Sequence, residues 1–161
     1  FGLPFEKGLR RQFFIEPIED IVYLNLTDYP VRKFDLAVWP NEKVVTDLAA
    51  LNNRPTKILI AVDNERINTS NLALFTARNK ATNLIINTPF EFSELPTQDV
   101  ASYVEQHDYV VVTDKDINPF YLFNKKALEQ VADYTRKTYT NPIFTYKLPT
   151  GDKLFVFTTG K

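Results

Sequence analysis

Glycine is nearly missing from this chain. Four occur in 161 residues, at Gly2, Gly8, Gly151 and Gly160, so the stretch 9–150 has none. Phosphate-cradling turns rely on glycine, both for backbone conformations that other residues resist and for close approach of N–H groups to the phosphate. A nucleotide-binding reading therefore starts without its usual support. Cysteine is absent as well, which excludes disulfides, thiolate zinc sites and a cysteine nucleophile but leaves the redox compartment open. The single histidine, His107, means that a Ser-His-Asp triad, a histidine general base or a histidine metal site is built on it or does not exist. Its position at the expected end of a short helix, beside Asp108, suits an imidazole interacting with a helix terminus. No metal site and no cofactor are expected.

An excess of either charge is lacking too. Nineteen Lys and Arg against 20 Asp and Glu give a net charge of -1, which provides no overall field for nucleic acid, and no nucleic-acid partner is expected. No run approaches the ~18 apolar residues needed to cross a bilayer. Residues 1–14 have neither a signal peptide's apolar centre nor its small-residue cleavage site. Methionine is absent and the chain opens on Phe1, from which we expect a segment of a longer protein whose other parts hold the targeting information.

What is present is apolar bulk. Hydrophobic residues make up 44%, with 13 Phe and 8 Tyr, enough to fill one sizeable core. A domain of this length buries about two-thirds of the surface that its unfolded chain exposes, so folding needs no cross-link.

Residues 1–17 fit neither helical nor strand periodicity and read as a lead-in segment, with residues 18–161 forming a single α/β domain. Residues 21–26 form a compact run of β-formers, and 34–39 a further apolar patch. Asn41 is placed to cap a helix whose inner face is Val44, Val45, Leu48 and Leu51. Residues 57–62 (KILIAV), 84–86 and 109–113 (YVVVT) are continuous apolar runs, as expected of strands covered on both faces. Between them, the spacing predicts a helix over 69–80, with Leu72 and Phe75 inward and Ala73 and Ala77 allowing close approach, and a short helix capped by Thr97. Pro119 suits the first position of the longest helix, which runs to about Lys137 with Phe123, Ala127, Val131 and Tyr134 inward. From Ile143 the period changes to two and a turn over 149–153 makes a hairpin. This order predicts a three-layer Rossmann-like α/β domain: a mainly parallel sheet, helices on both faces and a C-terminal antiparallel hairpin.

Asp63 and Asn64 follow one buried strand, and Asp114 and Asp116 follow another, which puts polar groups along the carboxyl edge where open α/β sheets bind ligands. A receiver-like phosphate acceptor would also need paired acids after the first strand and a lysine after the last, and these are not present. The connection 63–71 is rich in amides, hydroxyls and acids. It suits hydrogen bonding to a sugar or a partner, and it equally suits capping of the next helix by Asn68, Thr69 or Ser70. Asn25-Leu26-Thr27 and Asn68-Thr69-Ser70 match the short N-glycosylation pattern. Glu91 with Glu94, and Glu16 with Glu19 and Asp20, are acid pairs of the type glycosidases use, but sequence separation says nothing about the gap such chemistry needs, and solvated loops are the preferred reading. Trp39, Tyr29, Phe34, Phe90 and Phe92 fall in expected loops, where aromatics stack on sugars or rest at a membrane interface.

Five tracts taken together are Val38-Trp39-Pro40, residues 57–63 (KILIAVD), Ile67-Asn68, Asn71-Leu72 and residues 108–113 (DYVVVT). Over residues 36–115 they resemble the soluble tail of bacterial membrane glycosyltransferases similar to dolichyl-phosphate-mannose-protein mannosyltransferases and the aminoarabinose transferases of lipid A. The resemblance implies an extracytoplasmic, periplasmic domain of an enzyme that transfers sugar from a polyprenyl-phosphate donor. In that family the catalytic acids lie in loops of the membrane part, and none maps onto this chain. The implied role is a non-catalytic accessory domain whose partners are the membrane-embedded part of the same protein and a glycan or polyprenyl-phosphate sugar. Ligand contacts would fall to Asp63, Asn64, Asn68, Asn71 and Asp114. A free-standing Rossmann-like enzyme acting on a nucleotide or sugar, and a protein-interaction module, remain the alternatives.

Overall fold

The computed structural model describes residues 39–160, which belong to the unit spanning Val38–Lys161. The strand expected at 21–26, most of the patch at 34–39 and the lead-in segment lie outside the described residues. Five strands form one sheet: β1 (Thr56–Ile60), β2 (Leu84–Asn87), β3 (Tyr109–Thr113), β4 (Phe144–Lys147) and β5 (Lys153–Thr158). Among the described residues four α-helices accompany them: α1 (Asn41–Leu51), α2 (Thr69–Arg78), α3 (Val100–Glu105) and α4 (Lys125–Thr138), with a 3-10 turn at Thr97–Asp99 leading into α3.

The strand order is β2-β1-β3-β5-β4. β1 pairs in parallel with β2 and β3, whereas β5 pairs antiparallel with both β3 and β4. The sheet is therefore mixed, which corrects the expectation of a mainly parallel one. The hairpin forms the expected antiparallel edge as a pair, docked on β3 through its second strand. Burial explains which hairpin strand goes inside. In β5, Leu154, Val156 and Phe157 are all buried, so the strand is covered on both faces, while β4 alternates exposed Thr145 and Lys147 with Tyr146 and belongs at an edge.

Strand side chains alternate between two apolar clusters. Ile58, Ile60, Val111, Leu154 and Val156 join Val44, Val45 and Leu48 of α1 and Leu72 of α2. Leu59, Val110, Val112 and Phe157 join Val100 and Val104 of α3 and Ala127, Val131 and Ala132 of α4. Ile58, Leu59 and Ile60 have no exposed surface. Val110, Val111 and Val112 of β3 are equally covered, and each such side chain contributes about 1.5–3 kcal/mol relative to exposure, so β1 and β3 together supply the buried centre of the sheet.

Helix boundaries follow local chemistry. At α2 the Asn68 side chain accepts from the Asn71 N–H at 2.8 Å, satisfying one orphan donor of the first turn. At α1 the expected cap is displaced by one residue: Pro40 stands at the cap position and its carbonyl accepts from Val44 N at 2.8 Å. Asn41 is instead buried inside the first turn, with Nδ2 donating to the Arg66 carbonyl at 2.9 Å. Leu51, expected inward, is 40% exposed because it lies in the fraying last turn. Ala73 and Ala77 face outward rather than packing closely.

The largest departure concerns α4, which starts at Lys125 and not at Pro119. Its buried stripe is Ala127, Leu128, Val131, Ala132 and Thr135. Phe123 precedes the first turn, so helical spacing does not govern it, and it is 73% exposed.

Candidate functional site

β1 is followed by a crossover to β2 on one side, and β3 lies on its other side, so the chain changes direction between the carboxyl ends of β1 and β3. Ligands of open α/β sheets enter the crevice at such a point. Here two loops meet across it. The Asp63 N–H donates to Asn118 Oδ1 at 2.6 Å, and Asn64 Nδ2 donates to the Ile117 carbonyl at 2.9 Å. The mouth of the crevice is bridged by the protein's own hydrogen bonds.

Four of the five expected contact residues lie together, and most of their polar groups have structural partners. Asn64 exchanges backbone bonds with Ile67, and its Oδ1 accepts from Arg66 N at 3.2 Å. Asn68 caps α2 and donates Nδ2 to the Asn64 carbonyl at 2.9 Å. Asn71 Nδ2 reaches the Glu65 carbonyl at 3.3 Å. The segment 63–71 is thus a hydrogen-bonded loop that positions the start of α2, with Asn41 joining it from α1. Asp114 stands apart: exposed at the end of β3, it pairs with the hairpin, its Oδ1 accepting from Lys153 N at 2.9 Å. Among the described residues Asp114 makes no hydrogen bond to the loop after β1.

Asp63 differs from its neighbours. Its carboxylate has no hydrogen bond or ion pair among the described residues, and partial burial raises its pKa above the ordinary aspartate value. Beside it, Asp116 accepts from the Asn118 N–H at 2.9 Å and pairs with Lys125 Nζ at 2.8 Å. Burial works to push the Asp116 carboxyl up, but the Lys125 ammonium and the Asn118 amide together hold it below its usual value. Lys125 is raised in turn, chiefly by its hydrogen bond to Asp116. Asp116 is legible in the sequence as a polar group after β3, whereas its partners Asn118 and Lys125 are not, because the periodicity places Lys125 inside a longer helix. The available signal was Asn124, a residue type that commonly precedes a helix.

His107 is buried, with Nδ1 3.0 Å from the Tyr103 carbonyl, at the amino end of β3 and remote in the fold from the β1–β3 crevice. Glu94 pairs with Lys126 at 2.7 Å. Among the described residues no three His, Asp or Glu side chains converge as metal ligands, and no helix is long and apolar enough to cross a membrane. A shallow depression of about 380 Å³ lies between α2 and β2, lined by Ala73, Ala77, Lys80, Leu84 and Ile86; its position at the C-terminal end of α2 puts it away from the crevice.

The chain matches no protein-family model, no curated protein and no solved structure.

Proposed function

We propose that this chain is a non-catalytic accessory domain, on the extracytoplasmic side, of a bacterial membrane glycosyltransferase that uses a polyprenyl-phosphate sugar donor. In this reading it is a three-layer Rossmann-like scaffold that packs on the membrane-embedded part of the same protein. The observation that carries the non-catalytic half is the crevice between β1 and β3, bridged by the Asp63–Asn118 and Asn64–Ile117 hydrogen bonds. A sugar or phosphate entering there would have to break both, and the amides that could bind it are already engaged. The transferase half rests on the resemblance of the tracts within residues 36–115. Glycan contacts, where the domain makes them, fall to the Asp63 carboxylate at the rim.

One observation favours the alternative, a Rossmann-like enzyme acting on a nucleotide or sugar: an unpartnered carboxyl raised by burial at a strand end is the chemistry of a general acid or base. Two measurements separate the readings. The complete gene product should carry several apolar spans of ~20 residues ahead of Phe1. The purified chain should show no hydrolase or transferase turnover; turnover that disappears in the Asp63→Ala, Asp114→Ala double variant would overturn the accessory reading.

A further inference from the structure

The loop between β3 and α4 presents a run of aromatics to solvent. Phe120 is 92% exposed, Tyr121 78% and Phe123 73%, and Phe90, on the loop after β2, is 68% exposed. Large side chains at such exposure are costly unless something covers them, and a contiguous group marks an interaction surface. The run is not slack chain. Leu122 N donates to the Pro119 carbonyl and Lys125 N to the Leu122 carbonyl, both at 3.3 Å, so two turns hold the loop on the start of α4. The Phe90 loop is fastened to the same helix by Lys126–Glu94 at 2.7 Å and by paired 2.8 Å bonds between Gln130 and the Leu95 backbone.

We propose that Phe120, Tyr121 and Phe123 form an anchor that inserts into the interfacial layer of a lipid bilayer. Shape and charge both select this occupant over a protein. Exposures this high mean a convex tip without walls, so a protein partner would have to bring a matching pocket, whereas a fluid interface closes around a wedge. The neighbouring cations are neutralised within the chain: Lys125 pairs with Asp116 at 2.8 Å and lies 6.0 Å from the Phe120 ring, and Lys126 pairs with Glu94. Paired in this way, they leave no net charge that would direct the loop to an oppositely charged partner surface. Phenylalanine and tyrosine, with a phenolic hydroxyl able to stay wet, suit the headgroup boundary. The inference rests on the loop and not on the transferase reading: a chain that binds vesicles but belongs to no membrane enzyme keeps it.

The test is sedimentation of the full 161-residue chain with vesicles of phosphatidylcholine alone, at low and high salt. The wild type should bind equally at both, since no net charge drives the contact. Phe120→Ser, Tyr121→Ser, Phe123→Ser together should weaken partitioning by about tenfold or more while the circular dichroism and Tm stay unchanged, because these side chains pack on little. In a separate Tyr121→Trp variant, indole emission should shift to the blue with vesicles and be quenched by bromine-labelled lipid chains. Absence of binding, binding abolished by salt, binding equal in the triple variant, or self-association lost in that variant without any vesicle binding would each overturn the proposal.

Discussion

Asp108 and Arg54 are joined across the amino ends of β3 and β1, Arg54 Nη2 lying 2.7 Å from Asp108 Oδ1. The second carboxylate oxygen accepts from the Lys57 N–H at 2.8 Å, and the backbone N–H of Asp108 donates to the Lys57 carbonyl. One buried side chain thus fixes where β1 and β3 begin relative to each other, and with them the register Ile58 to Tyr109. The Asp-Tyr tract of the family resemblance is, in this fold, a register clamp.

Removing that carboxylate strands an amide and frees an arginine that solvent readily accepts. Asp108→Ala should cost about 2 kcal/mol, the range for a hydrogen bond to a charged group with one partner left buried. The corresponding fall in Tm is ~6 °C for a domain of this size. Asp108→Asn, which keeps an oxygen for Lys57 N, should lose roughly half as much. Urea unfolding followed by circular dichroism measures both; equal stability in all three proteins would show that the clamp is ornamental.

The scarcity of glycine has a cost at the end of α2. Ala81 N donates to the Thr76 carbonyl at 3.0 Å and Lys80 N to the Ala77 carbonyl at 3.1 Å, the paired bonds of a Schellman ending, and this requires Lys80 to adopt a φ of 54°. Helices that end this way use glycine because a Cβ strains the left-handed conformation. Lys80→Gly should therefore stabilise the protein by about 1 kcal/mol, visible as a Tm rise of a few degrees. A decrease would mean that the lysine side chain contributes more than its backbone loses. Gly151, at φ 94° in the hairpin turn between β4 and β5, already satisfies the same requirement, and Gly151→Ala should destabilise by a similar amount.

The elements that could be read in the sequence were those whose signal is local. KILIAV, YVVVT and the alternating hairpin each state their burial within a few residues, and Asn68 names the start of α2 by capping it. Strand order is not local: β5 finds β3 across more than 40 positions, and no spacing along the chain says which hairpin strand will do so. The start of α4 was misread because Pro119 and Phe123 fit a helix in isolation, whereas the turn through Pro119–Leu122 and the Asp116–Lys125 pair stop it from forming until Lys125. The candidate site was legible as a strand end with polar residues. Its bridging was not, because Asn118 meets Asp63 from 55 residues away.

Asp63 offers a pH test of the bridged crevice. Burial raises its folded pKa above the unfolded value near 3.8, so the folded state holds the proton more tightly. The contribution to stability is complete below that unfolded value and is lost as pH rises through the folded one, leaving an ionised, poorly solvated carboxylate at neutral pH. Asp63→Asn should therefore raise stability at pH 7, and the advantage should vanish below about pH 4. Chemical denaturation at both pH values checks it. A loss of stability at pH 7 would show that the carboxylate has a stabilising partner within the folded chain, and would remove the observation that favours the enzyme reading.

Tyr146 and Asp47 supply the opposite end of the pH scale. The phenol donates to Asp47 Oδ2 at 2.9 Å, tying β4 to α1 across 99 residues, and the tyrosine is buried. Burial, together with the Asp47 carboxylate it bonds, raises the phenol pKa far above its ordinary 10.0. The folded state thus holds this proton where the unfolded chain releases it. The stabilisation is complete below about pH 10 and declines as pH climbs above it, because only the unfolded form gains by ionising. Tyr146→Phe should cost about 1 kcal/mol at neutral pH through the lost hydrogen bond. It should also flatten the fall in stability above pH 10, since a phenylalanine has no proton to lose. Tyrosinate absorbance during an alkaline titration gives the second check: in the wild type one group should ionise only together with unfolding, and in Tyr146→Phe that cooperative step should be missing. An unchanged alkaline profile in the variant would place the pH-sensitive link elsewhere in the fold, with Tyr103 and Tyr139, both raised by burial, as the next residues to replace.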